Sequence, residues 1–277
     1  GKLMDLISIA RPRVLVIDDS WTLPEPEEQV SLSSLELLWI DGDLNALEKL
    51  ARCCSNLESL IIANWEPGSG ELLPLSSLKN LKSLTIAESS LTSLSILEFP
   101  QSLQHLYVLA CDTLADIQDL LKLTSLKSLS LTQCMRITNP GILKEIQGLH
   151  YLSPPPGISQ QEFLELLERQ PQLEVLELID CAKIQNISHL QTAQDLRVLL
   201  LQLEYEQLQG LDLLDQLELI VLEIDVFEDN PEWIRELRSQ LPNSKIVPGS
   251  GICLGSGWLM LLLPCIFIFR YLFRRKA

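Results

Sequence analysis

A six-residue pattern of apolar and polar positions, L-x-x-L-x-L, recurs through most of this chain. It is clear at Leu35/Leu38/Ile40, Leu57/Leu60/Ile62, Leu81/Leu84/Ile86, Leu103/Leu106/Val108, Leu126/Leu129/Leu131, Leu173/Leu176/Leu178 and Leu196/Leu199/Leu201. Weaker copies stand at Pro12/Leu15/Ile17, Leu149/Leu152/Pro154 and Leu217/Ile220/Leu222. Successive copies start 23, 22, 24, 22, 23, 23, 24, 23 and 21 residues apart. A fixed period in the twenties predicts a solenoid. Within one copy, Leu129 and Leu131 alternate with Ser128 and Ser130, which is the period of a half-buried strand. Apolar spacings of three and four over residues 44–53 and 163–168 predict helical returns between strands. A single copy cannot bury its apolar side, whereas stacked copies can. The expectation is an α/β solenoid over residues 1–247, with about ten repeats and ten strands in one parallel sheet.

Strand residues that alternate with the template leucines face away from the core. Toward the N-terminus these are Val14, Val16, Leu37, Trp39 and Ile61. The middle supplies Ser83, Thr85, His105, Tyr107, Ser128 and Ser130, and the C-terminal part Val175, Glu177, Val198, Leu200, Leu219 and Val221. Two apolar patches thus flank a small polar centre. Exposed apolar area of this extent marks contact surfaces, and Trp and Tyr are frequent anchors. The candidate partner-binding residues are Leu37, Trp39, Ile61, His105, Tyr107, Val175, Leu200 and Val221. The competing explanation is strand propensity for β-branched residues. One copy breaks the pattern: Leu152-Ser153-Pro154-Pro155-Pro156-Gly157 predicts a strand that is distorted or lacks its central bonds, because proline cannot donate to a ladder. A polyproline segment on the rim would also suit a ligand role.

The template resembles the leucine-rich repeat family over roughly residues 1–247. That family carries Asn or Cys three positions after the last template residue, and Cys111, Cys134 and Cys181 stand there. The run Cys134-Met135-Arg136-Ile137-Thr138 is similar to the cysteine-containing subclass, while other copies place Trp65, Ser89 or Glu204 at that position. The resemblance implies a curved parallel sheet lining a concave face, and partner binding rather than chemistry.

Charge and cysteines refine this picture. The formal net charge of −16 disfavours binding to phosphate backbones, and the one basic cluster is Arg270, Arg274, Arg275 and Lys276. No nucleic-acid partner is expected. The acidic balance reads first as a solvated solenoid surface and second as a field that selects a basic partner. None of the seven cysteines sits in disulfide-framework or zinc-site spacing, so they read as free thiols that favour a reducing compartment. His105, His150 and His189 are far apart, and no nucleophile elbow or glycine-rich loop accompanies them. No catalytic residue, cofactor or metal is expected.

After a Gly/Pro linker at 248–251, residues 252–269 carry no charge; continuing to 273 past Arg270 gives a segment of spanning length. Residues 252–273 are therefore expected to form a transmembrane helix, followed by a basic tail at 274–277. Trp258 fits an interfacial aromatic, Pro264 predicts a kink, and Arg270, Arg274 and Arg275 form the basic stop. The bland alternative is a buried terminal helix. Gly251 and Gly255 have the small-xxx-small spacing of helix–helix association, although a flexible glycine entry explains them as well. The arrangement is similar to bacterial sorting tails of the PEP-CTERM type, with Val247-Pro248-Gly249 where that motif has Pro-Glu-Pro. The positive-inside rule places the basic end in the cytosol, with the repeats outside or in a lumen; free thiols favour cytosolic repeats, so the side is left open.

Gly1 is followed by what reads as the back half of a repeat, so the sequence is expected to begin inside a longer protein. Residues 13–21 resemble the Walker B segment of nucleotide-binding immune-receptor ATPases, but the chain contains no matching P-loop, and the same residues fit the first repeat in register. The functional expectation is a membrane-anchored protein-binding scaffold or receptor-like module, with a protein on the concave face and a bilayer at the tail. The alternative is the C-terminal sensor and anchor part of a larger enzyme, such as a nucleotide-switching immune-type ATPase.

Overall fold

The computed structural model describes residues 11–17, 32–42, 44, 54–68 and 72–249. They form a leucine-rich-repeat solenoid built on one eleven-stranded sheet whose strands lie in chain order, each parallel to the next. The strands are β1 (Val14–Ile17), β2 (Leu37–Asp41), β3 (Ser59–Ala63), β4 (Ser83–Ala87), β5 (His105–Leu109), β6 (Ser128–Ser130), β7 (Tyr151–Ser153), β8 (Val175–Ile179), β9 (Val198–Gln202), β10 (Leu219–Leu222) and β11 (Lys245–Pro248). The template leucines stack in a continuous core. Leu38, Leu60, Leu84, Leu106, Leu129, Leu152, Leu176, Leu199 and Ile220 pair along the sheet and are all buried. Each turn therefore buries its apolar side only against its neighbours, as a nearest-neighbour array requires.

The strand count exceeds the expected ten. β11 was missed because, in register, its template positions are Asn243, Ile246 and Pro248, with one apolar residue of three. Its return is also different, with two helices, α2 (Ile224–Asp229) and α3 (Pro231–Gln240), where earlier returns are mainly short 3-10 turns. Tyr205 meets Trp233 edge to face, and Arg238 lies over Phe227 while donating to the Ile246 carbonyl. A further helix, α1 (Gln160–Glu168), occupies the predicted return at 163–168. A capping box between Ser159 and Glu162 starts it, and Phe163, Leu166 and Leu167 bury its inner face. In most of the other described returns the tighter 3-10 turn, with its longer rise per residue, makes the crossing.

The proline-rich copy does not break the sheet. β7 pairs with β6 on one side and β8 on the other, and the Leu131 amide donates to the Ser153 carbonyl at 2.8 Å. The prolines begin at Pro154, where the strand has already ended, so they shorten it rather than remove its donors. Pro154, Pro155 and Pro156 are all buried, which withdraws them from the rim role considered above.

Side chains tie successive turns together. Asn56 and Asn80 each donate to a backbone carbonyl of the preceding turn at 2.7 Å, and Ser102 and Thr113 do likewise. Cys111, Cys134 and Cys181 are free, buried and directed at backbone carbonyls, as their repeat position implies. Burial pushes the Cys181 thiol up to about 12, and hydrogen bonding to Cys111 together with burial raises Cys134 well above the ordinary range. Where Glu204 replaces the cysteine, Gln207 reaches back to the carbonyls of Cys181 and Ile184. One residue before this position the backbone turns left-handed in repeat after repeat: Gly42, Asn64, Glu88, Ala110, Gln133 and Asp180. Only one is glycine, so stacking overrides the local cost for L-residues of roughly 1–2 kcal/mol each.

Val14–Ile17 is an ordinary solenoid strand, which accounts for the apolar half of the Walker B resemblance; Asp18 and Asp19 lie outside the described residues. The helical return expected at 44–53 lies outside them except for Leu44. The span at 252–273, its Gly251/Gly255 pair and Trp258, Pro264, Arg270, Arg274 and Arg275 also lie outside. No helix among the described residues is long and apolar enough to cross a membrane.

Candidate functional site

Two rows of side chains run across the open face of the sheet. The register places Val14, Leu37, Ser59, Ser83, His105, Ser128, Tyr151, Val175, Val198, Leu219 and Lys245 in one. The other holds Val16, Trp39, Ile61, Thr85, Tyr107, Ser130 and Ser153, then Glu177, Leu200, Val221 and Val247 beyond β7. All eight residues expected to bind a partner lie in these rows, but the structure divides them into separate zones.

The N-terminal zone is apolar and open at its edge, with Val14 43% and Val16 51% exposed. Leu37 and Trp39 are half-buried beside them. Ile61, held between Trp39 and Thr85, is only 7% exposed and offers a partner almost no area. The indole N–H of Trp39 is shielded from solvent and meets no acceptor among the described residues.

The central zone is a hydrogen-bonded polar cluster. β6 contributes only serines to the face, so the larger side chains of β5 and β7 close over it. The rings of Tyr107 and Tyr151 meet edge to face with centroids 6.2 Å apart. Beneath them Ser130 and Thr132 lie 2.7 Å apart, and Thr132 and Ser153 2.9 Å apart. His105 Nδ1 and Ser128 Oγ are 2.9 Å apart, and Tyr107 also bonds Ser128. Tyr151 donates its hydroxyl proton to Glu177, whose carboxylate also bonds Ser153.

Burial governs the electrostatics here. It lowers the His105 pKa, with Lys127 adding to the effect, and favours the neutral imidazole. It raises Tyr107, and raises Tyr151 well above the usual phenol range, where the Glu177 charge adds to it. Glu177 is 6% exposed, and burial raises its pKa against the opposing hydrogen bonds of Tyr151 and Ser153. It makes no ion pair among the described residues.

The third zone, around Val175, Val198, Leu200, Leu219 and Val221, is a shelf of half-buried aliphatic side chains. Along the rim preceding the strands, exposed ion pairs link adjacent turns at Arg13–Glu36 and Glu58–Lys82, and His150 Nδ1 lies 2.9 Å from the Glu174 carboxylate. Pairs so exposed contribute little stability but keep the rim ordered and hydrophilic.

The sequence reading placed His105 and Tyr107 in this centre but did not single out Tyr151 or Ser153. The proline run had pointed to a broken strand, although Tyr151 sits one residue before Leu152 in the template, the position that faces outward in every other copy. Among the described residues no group of three or more His, Cys, Asp or Glu is arranged to hold a metal.

No family profile matches the chain, and no curated protein matches it. Solved structures do. Internalin C2 from Listeria monocytogenes str. 4b F2365 is similar at 22% identity over 70% of this chain and 83% of its own, with a TM-score of 0.52. The TLR13–ssRNA13 complex overlaps at 19% identity and a TM-score of 0.44, over 78% of this chain and 32% of that one. At 22% identity the likeness to internalin C2 is one of fold alone, a parallel-sheet solenoid of the leucine-rich-repeat kind.

Proposed function

We propose that this chain is a protein-binding solenoid, a scaffold or receptor-like module that holds a partner on the open face of its sheet beside a bilayer. The observation that carries the reading is the face itself. Its apolar zones remain partly solvated at both ends, including strongly exposed Val14 and Val16. Apolar area left wet on a preorganised sheet lowers the cost of association when a partner covers it. The fold supports the same reading, since stacked repeats present one continuous surface. The bilayer part rests on the uncharged segment at 252–269 and the basic residues that follow it.

The test is partner recovery from the source membranes with the full chain as bait. Trp39→Ala combined with Tyr107→Ala should lose the partners that the parent recovers, while melting as a folded protein. Equal recovery would move the site to the returns on the other side of the solenoid. For the bilayer, removal of residues 249–277 should shift the protein from the membrane to the soluble fraction; unchanged fractionation would reject the anchor.

A further inference from the structure

The negative charge of this protein is concentrated at one end of the solenoid. Residues 174–249 hold fifteen Asp and Glu against five Lys and Arg, so −10 of the chain's −16 falls there. Part of it forms a margin beside the aliphatic shelf. Asp180 follows β8, Glu204 stands just past β9, and Glu223 and Asp225 follow β10. They lie close enough that Asp225, Glu204 and Asp180 each raise the Glu223 pKa, adding to burial as the largest cause. None of the four makes an ion pair among the described residues. At the inner border, Glu177 pairs in register with Leu200 of the shelf, and its carboxylate is buried with neutral hydrogen-bond partners only.

We propose that the C-terminal half of the open face docks a basic protein segment in which lysines or arginines are interleaved with apolar side chains. This rests on the reading of the open face as the partner site and names the chemistry of the occupant. The apolar residues of the segment cover Val175, Val198, Leu200, Leu219 and Val221. Its cations meet the carboxylates of Asp180, Glu204, Glu223 and Asp225 along the margin. Charge complementarity decides the occupant. A nucleic acid would be repelled by this field, and a bare metal ion would leave the shelf wet. A basic amphipathic segment satisfies both surfaces.

The experiment uses the full chain in phosphatidylcholine nanodiscs, with empty discs subtracted. Binding of a short fluorescent peptide of interleaved Lys and Leu is followed by anisotropy at physiological salt, with a Glu-for-Lys peptide as control. The triple variant Asp180→Asn, Glu204→Gln, Glu223→Gln should bind on the order of tenfold more weakly. An equal charge change on the returns, Glu145→Gln, Glu168→Gln, Asp212→Asn, should leave affinity within about twofold. Carbodiimide coupling of the Lys/Leu peptide to the unmutated chain gives an independent reading, with cross-links expected at Asp180, Glu204, Glu223 or Asp225. Equal losses in both triples, cross-links spread over the whole solenoid, or equal binding of the acidic peptide would overturn the proposal. If Val198→Asp with Leu200→Asp abolishes recovery of native partners but the margin triple does not, the basic-partner inference fails and the open-face reading stands. If neither they nor Trp39→Ala/Tyr107→Ala changes recovery, both fail.

Discussion

Glu177→Gln should make the free protein more stable at neutral pH, although it removes a charged residue that is hydrogen-bonded to Tyr151 and Ser153. The carboxyl is 6% exposed, accepts from Tyr151 and bonds Ser153, and among the described residues no cation pairs with it to offset its desolvation. Its folded pKa therefore lies above the ordinary value of 4.5. The folded state then binds more protons than the unfolded state between the two pKa values, so stability falls as pH rises through that window. Below the unfolded pKa the carboxyl is neutral in both states and the penalty vanishes. Glutamine keeps an oxygen for the Tyr151 hydroxyl at nearly the same volume, so the main change is loss of the buried charge. Incompletely compensated buried polar groups cost about 1–3 kcal/mol. Recovering part of this, about 1 kcal/mol at pH 7, corresponds to a rise in Tm of roughly 2–4 °C for a domain of this size. Melting of parent and variant by circular dichroism from pH 4 to 8 is the assay. The two curves should converge at the acid end and separate as pH rises. A variant that is less stable at pH 7, or a difference that does not vary with pH, would refute the view of Glu177 as an uncompensated buried charge.

Other expectations follow from single positions. Leu129 is fully buried between turns, so Leu129→Ala should cost about 2–5 kcal/mol by thermal melting, and Leu129→Asp should abolish the folded signal. Ala110 has a φ of 51°, so Ala110→Gly should leave stability unchanged or raise it by up to about 1 kcal/mol in urea titration, whereas the ordinary helix or strand position would lose stability. Cys111, Cys134 and Cys181 are buried in the turn ladder and should resist maleimide in the native protein, then react on unfolding; rapid native labelling would contradict their placement.

The strands and core were legible because repetition makes a weak local signal redundant. Each template leucine is a modest piece of evidence, but ten copies at one spacing leave a single register that buries them all. The elements that escaped were those whose residues depart from the template. β11 has one apolar template residue, yet it forms because β10 offers a complete edge and α2 and α3 cover the turn. The left-handed residues at Glu88, Ala110 and Gln133 carry no sequence signature, since the repeat imposes their conformation.

The candidate site was harder to read because it depends on what neighbouring turns place side by side. Alternation puts Tyr107 and Glu177 on the open face, but gives no sign that Tyr107 meets Tyr151 across the two serines of β6. Nor does it show that Glu177 ends buried, with no cation paired to it among the described residues, while its neighbours Val175 and Leu200 remain half-exposed. These are the positions where the face departs from what stability alone would select: a charge in a closed polar cluster, and aliphatic side chains left partly wet. In a nearest-neighbour solenoid such departures are tolerated one turn at a time, because the leucine stack on the other side of each strand supplies the cohesion. The division of labour between the two faces of one strand is therefore the link from sequence to function. One face is fixed by the repeat, which leaves the other free to be shaped by a partner.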